Sequence, residues 1–209
     1  MKKRRRRFSA KAAKRLKKRL WIALLMLLIL LGLSTCTVVK TRPDYDALLL
    51  DAAASGETER GRAAAGERNA LVRRGLMQEP SVDYDELLLL ARLIEVEAGD
   101  RRYSDDYRLC VGELALNRVA SPEFPDTLRE VVEQYRQYPC ALEPEFADLR
   151  PSRANAALAL RLLKGERHLS PAVLYRSSRQ IGPAFARFYD RQEGYIYFCE
   201  SVYTELYAP

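Results

Sequence analysis

Histidine is almost missing from this chain: His168 stands alone among 209 residues, beside four cysteines, Cys36, Cys110, Cys140 and Cys199. No CxxC or HxxxH pair occurs, so the four Cys/His ligands of a structural zinc site do not come together at any usual spacing. Neither a metal nor a cofactor is expected, and counting leaves open only a site built of carboxylates. Acid is missing too, but locally: residues 1–40 hold 13 Lys and Arg and no Asp or Glu. Of the 35 basic residues 22 remain for the rest of the chain, against 28 acidic ones, so the overall net charge of +7 belongs to the N-terminal tail. A globular part of negative net charge is poorly suited to track a phosphate backbone, and nucleic-acid binding is not expected. With 48% hydrophobic and 30% charged residues the chain is too apolar to be wholly disordered, and its length fits one ordinary domain with added segments.

The only long uncharged run is WIALLMLLILLGLSTCTVV, residues 21–39, and it directly follows a 1–20 segment with twelve Lys and Arg. As a helix it would span about 28 Å at 1.5 Å per residue, enough for a bilayer core. Basic flanks stay on the cytoplasmic side, so a single-pass anchor is predicted, with residues 1–20 cytoplasmic and the bulk of the chain outside. The basic tail would then also meet anionic headgroups. A cleaved secretory signal or a lipoprotein signal ending at Cys36 is the alternative, and Thr35 argues against both because processing favours smaller residues. In an oxidising compartment Cys110, Cys140 and Cys199 supply either one disulfide and a thiol or three buried thiols.

Residues 40–82 read as a helical stalk: two Ala-, Glu- and Arg-rich pieces separated by Ser55 and Gly56, without an aromatic residue after Tyr45. Helices this polar are expected to bury little, whether they pack on the main domain or hold it off the membrane. The break at Gln78–Val82 leads into a domain over 83–209. There Asp83 or Asp85 opens a helix that Gly99 closes, Ser104 opens one ended by Ser121 and Pro122, Thr127 and Glu130 form a capping box, and Pro151 and Ser152 start one stopped by Gly165. Ala172–Tyr175 and Tyr195–Phe198 read as strands flanking a helical turn around Phe185–Tyr189. The fold class is therefore mainly α (α+β), with a small β element, preceded by one transmembrane helix.

In the first helix of that domain Glu97 shares a face with Leu90, Leu93 and Ile94, whereas Glu95 falls with Arg92 and has an ordinary role as its solvated partner. A carboxyl on an apolar face in the last helical turn should have its charged form disfavoured by desolvation and by the helix dipole, which suits a proton donor. The plainer alternative is a boundary residue reaching out to water. Glu113 shares a face with Leu109, Cys110, Leu116 and Asn117, as a second site carboxylate or as a buried partner of Asn117 or an arginine.

The stretches LLLLARLIEVEAGD, VGELALNRVASPEFPDTLREVV, the Gln134 and Gln137 positions of EQYRQYPC, AVLYRSS and YIYFCES resemble, in order and spacing, the spore-cortex-lytic type of bacterial cell wall hydrolases. The resemblance implies a lysozyme-like domain related to lytic transglycosylases, acting on peptidoglycan glycan strands with one essential glutamate, which falls on Glu97. It places Gln137, Tyr138 and Tyr175 along a substrate cleft, where amides bind sugar hydroxyls and aromatic faces stack on sugar rings, and leaves Asn117 and Arg118 to lock helices together. Two departures stand out: YRQYPC lacks the Pro-Gly common before the second glutamine, and Tyr195 stands where a histidine is usual. The competing classes are a cysteine amidase or peptidase built on Cys110 and His168, and a non-catalytic wall-binding scaffold. Spore cortex and vegetative wall both stay open as substrate, and nothing in the sequence marks a regulatory membrane partner.

Overall fold

A computed structural model describes residues 17, 18, 20–24, 26, 42–99 and 103–207. The chain divides into two compact units, Met1–Pro43 and Asp44–Pro209. In the first, the described residues 17, 18, 20–24 and 26 are helical and exposed, and Arg42 and Pro43 are exposed and outside any helix. Most of the expected membrane segment lies outside the described residues, and among those described no helix is long and apolar enough to cross a membrane.

The second unit begins with α1 (Tyr45–Ser55) and α2 (Thr58–Arg73). Asp44 caps α1 by accepting from the Ala47 amide at 3.0 Å. Of the two roles open to residues 40–82, packing on the main domain is the one that α1 and α2 show. The expectation that these helices bury little is corrected: Leu49, Ala52 and Ala53 are fully buried, and Ala64 and Ala65 nearly so. Small residues let the backbones approach closely. At Gly61 an added Cβ would fall 2.0 Å from the Tyr84 ring, so this turn of α2 lies directly on the aromatic ring that begins the next helix.

Charge completes the contact. Arg68 is fully buried, donating to the Pro80 carbonyl at 2.7 Å and to Glu79 at 2.5 Å, with Asp46 at 3.3 Å. Lys164 reaches the same two carboxylates at 2.6 and 2.8 Å. A buried guanidinium is tolerated because its donors meet a carbonyl and two carboxylates.

Next come α3 (Tyr84–Ala98), α4 (Asp105–Val119), α5 (Leu128–Glu133), a 3₁₀ turn (Pro139–Leu142), α6 (Pro144–Asp148) and α7 (Arg153–Leu163). The expected caps are in place: Asp83 accepts from the Asp85 and Glu86 amides, Ser104 from Tyr107, Thr127 from Glu130 and Ser152 from Asn155. Leu87, Leu90, Leu93 and Ile94 of α3 are fully buried, each contributing about 1.5–3 kcal/mol of apolar burial.

Strands β1 (Val173–Ser177), β2 (Ala184–Asp190) and β3 (Gly194–Glu200) form an antiparallel sheet ordered β1-β3-β2. The helical turn expected around Phe185–Tyr189 is instead β2. Its sequence alternates, with Ala186 and Phe188 half-buried between exposed Phe185, Arg187 and Tyr189, and Gly194 supplies the φ of 79° that turns the chain back into β3.

Helix α4 has apolar contacts on two sides and is buried almost all round. Leu109 and Ala115 join the helical core, while Tyr107, Cys110, Val111 and Leu114 pack under the sheet with Ile196 and Phe198. Tyr107, Phe188 and Phe198 meet edge to face at 5.1–5.8 Å between centroids. The domain is mainly helical with a small sheet, and both α4 and, through Ala98, the end of α3 contribute to both cores.

Candidate functional site

Helix α3 ends at Gly99, whose amide bonds to the Glu95 carbonyl at 2.9 Å. That end projects two carboxylates in different directions. Glu95 does not pair with Arg92 as expected: its Oε2 accepts from the Ser152 amide and the Asn155 side chain, both at 2.7 Å, so it secures the start of α7. Arg92 turns to the Leu149 carbonyl at 2.8 Å.

Glu97 faces the sheet. Its side chain is 13% exposed, and three elements converge on it. The Cys140 thiol, at the 3₁₀ turn begun by Pro139, donates to Oε1 at 2.8 Å. Arg176 of β1 donates to Oε2 and, through its other terminal nitrogen, to the Tyr107 hydroxyl at 3.1 Å. Arg176 pairs across the ladder with Phe198, which packs on α4, and this register aims the guanidinium inward. Burial, then the hydrogen bond and charge of Glu97, push the Cys140 thiol up to about 12, so it stays protonated and donates. Burial likewise pushes the Tyr107 hydroxyl up to about 12.

The other expected site residues are placed unevenly. Gln137 is half-buried in a turn whose backbone closes from the Gln137 amide to the Gln134 carbonyl at 3.1 Å. Arg136, where the resemblance leads to glycine, adopts φ 66° in that turn, so the bend survives with a side chain in the left-handed region. Tyr138 is not an open stacking platform: it is 4% exposed, with the Arg118 guanidinium 5.0 Å from its ring centroid. Burial, ahead of the charges around it, raises its hydroxyl above the ordinary phenol value. Tyr175 is half-buried and donates to Glu123 at 3.2 Å. Glu123 also accepts from Ser201 at 2.6 Å and Tyr207 at 2.7 Å, a carboxylate with three hydroxyl donors.

Glu113, open between a second site carboxylate and a buried partner of Asn117 or an arginine, is bonded to backbone. It is fully buried, and each oxygen accepts a backbone amide, from His168 at 2.6 Å and Leu169 at 3.0 Å. Asn117 and Arg118 lock α4 to the entry of β1 rather than to another helix, through the carbonyls of Ser170, Val173 and Leu174.

Arg176, Cys140 and Glu123 are the residues that sequence reasoning missed. Arg176 lies inside AVLYRSS and Cys140 inside YRQYPC, but only the register of β1 and the 3₁₀ turn show that both reach Glu97.

A cysteine centre on Cys110 has no support in the geometry. Burial first, and then the charges of Glu113 and Asp106, push that thiol up to about 12, and the His168 ring meets Glu166 at 2.8 Å. Cys110, Cys140 and Cys199 are all free thiols. Among the described residues no group of three or more His, Cys, Asp or Glu is arranged to hold a metal ion. A cavity of about 410 Å³ lies along another face of α3, lined by Leu88, Leu89 and Arg92 with Arg62, Arg129 and Phe146, and Glu97 is not part of it.

A shielded carboxylate held by a thiol and a guanidinium beside a small sheet has the makings of an acid–base site. Residues 104–200 match the family model described as Cell Wall Hydrolase, and that segment is similar to cell wall hydrolases. The family implies a hydrolase with peptidoglycan as its substrate. No curated protein and no solved structure matches the chain. The matched segment contains Cys140 and Arg176 and begins seven residues after Glu97.

Proposed function

We propose that the protein cleaves the glycan strands of peptidoglycan by a lytic transglycosylase or muramidase reaction on a lysozyme-like domain, with Glu97 as general acid and then base. The observation that carries this reading is the placement of Glu97: a carboxyl 13% exposed, at the junction of α3, the 3₁₀ turn and β1. A protonated carboxyl there can donate to the oxygen between N-acetylmuramic acid and N-acetylglucosamine as positive charge develops on the sugar.

Hydrolysis by the two-carboxylate route needs a second acid at the same sugar. Two carboxylates of α3 and α4 are spent elsewhere, Glu95 on the start of α7 and Glu113 on two buried amides. This favours the lytic variant, in which ionised Glu97 accepts the proton of the muramoyl 6-hydroxyl while that oxygen closes on the anomeric carbon to a 1,6-anhydro end. The same proposal places the domain outside the cytoplasm, anchored by residues 21–39, on the strength of the basic 1–20 flank.

The test is digestion of purified peptidoglycan by the full chain, with fragments read by mass spectrometry. Anhydro-muramoyl ends are the expected product. Reducing ends would move the reading to a muramidase, free stem peptides would overturn glycan cleavage, and an absence of fragments would leave a wall-binding scaffold.

A further inference from the structure

We infer that Cys140 and Arg176 are positioning residues that give the two oxygens of Glu97 different tasks: Oε2 stays a fixed acceptor for Arg176, and Oε1, at the Cys140 thiol, carries the proton that is transferred. The inference rests on the reading of Glu97 as general acid and names how that acid is held.

The asymmetry follows from the donor chemistry of the two partners. A guanidinium has only donors, so the oxygen it binds has no reason to carry a proton toward it. Oε2 is bound by Arg176, and Arg176 is itself held by the Tyr107 hydroxyl at 3.1 Å and by the β1 register, so this oxygen is pinned in place. The proton of the neutral acid therefore belongs on Oε1. A thiol is a weak donor and a weak acceptor, so it accommodates both forms of that oxygen. Its S–H donates to Oε1 when Glu97 is ionised, and turns away without a large loss when Oε1 is protonated.

Over the reaction the proton leaves Oε1 for the glycosidic oxygen as the C–O bond breaks. It is replaced on Oε1 by the proton of the attacking hydroxyl as the new C–O bond forms. Sulfur neither gains nor loses a proton. Among the described residues the charged and titratable groups facing Glu97 are Arg176 from β1, Tyr107 of α4 through Arg176, Tyr138 before the 3₁₀ turn, and Cys140 within it. The carboxyl of Glu95 on the same helix is turned to α7.

The experiment compares Cys140→Ala and Cys140→Ser in the full chain, measuring kcat, KM and the pH profile on soluble glycan fragments, with circular dichroism to establish folding. Cys140→Ala is expected to lower kcat about tenfold with KM within about twofold. Its alkaline limb should move to higher pH, because the carboxylate loses a donor. Cys140→Ser, a stronger donor to the carboxylate, is expected to keep activity within about threefold and to move the limb to lower pH. A merely structural role would not give shifts of opposite sign.

Wild-type kcat and pH profile in Cys140→Ala would overturn the inference, as would a folded Cys140→Ser without activity. If Cys140→Ala fails to fold, the direction of the limb in Cys140→Ser decides alone. Glu97→Gln separates the two levels: full activity there sinks the general-acid reading, whereas an inactive Glu97→Gln beside an unaltered Cys140→Ala sinks only the positioning inference.

Discussion

Two glutamates that look alike in the sequence, each on an apolar helix face, occupy opposite kinds of surroundings. Glu97, at the end of α3, meets side chains from two other elements, Cys140 and Arg176. Glu113, in the middle of α4, meets main chain among the described residues, the amides of His168 and Leu169. Side-chain partners leave a carboxyl at a junction where elements meet, while backbone partners turn it into an internal cap for a loop. A face assignment cannot separate these cases, because both kinds of partner arrive from residues far away in sequence.

The sharpest way to break this contrast is substitution at the two positions. Glu97→Gln is expected to keep the fold and to lower peptidoglycan cleavage by about 10²–10⁴-fold, since the amide is nearly isosteric and delivers no proton; digestion assays with thermal unfolding check both halves. Glu113→Ala should do the reverse, costing about 2–4 kcal/mol of stability because two buried amides lose their acceptor, as read in urea unfolding. Equal stability loss at the two positions would erase the distinction.

A milder effect concerns the helices once read as a stalk. Lys164, and with it Arg68, holds the Glu79 carboxyl below its ordinary value of 4.5, against the opposing effect of burial. A group whose folded value is depressed stabilises the protein above its unfolded value, and that contribution fades as pH falls through the folded value. Wild type and Glu79→Gln should therefore differ in melting temperature at pH 6 and converge as pH drops below about 4.5, in a thermal series across that range. The smallest expected effect is at Arg136: Arg136→Gly should stabilise by about 0.5–1 kcal/mol, because glycine takes the left-handed φ of 66° without strain.

Much of the frame was legible in the sequence. Asp83, Ser104, Thr127 and Ser152 announced their helices because capping is a local interaction of a side chain with the next turn. The placement of Glu97 on an inner face was legible for the same reason, as helical period is local. What escaped depends on distant partners. Strand β2 was hidden because its alternation of half-buried and exposed residues is short and its inner positions make sense only against Tyr107 and Phe198. The burial of α1 and α2 was hidden because alanine faces look polar on average, yet close packing against Tyr84 and an arginine with three acidic or carbonyl partners suffice to hold them. The exchange of Arg92 for Ser152 and Asn155 as partners of Glu95 likewise required the position of α7.

The 2.8 Å separation between the Cys140 sulfur and Glu97 has a practical consequence for inhibitor screening. On the proposed reading, any reagent that attaches a bulky group to that sulfur would crowd the carboxylate and silence the protein without a thiolate taking part in bond cleavage. Loss of function on alkylation would then misfile the proposed glutamate enzyme among the cysteine-dependent ones, and an active serine replacement at that position would put it back.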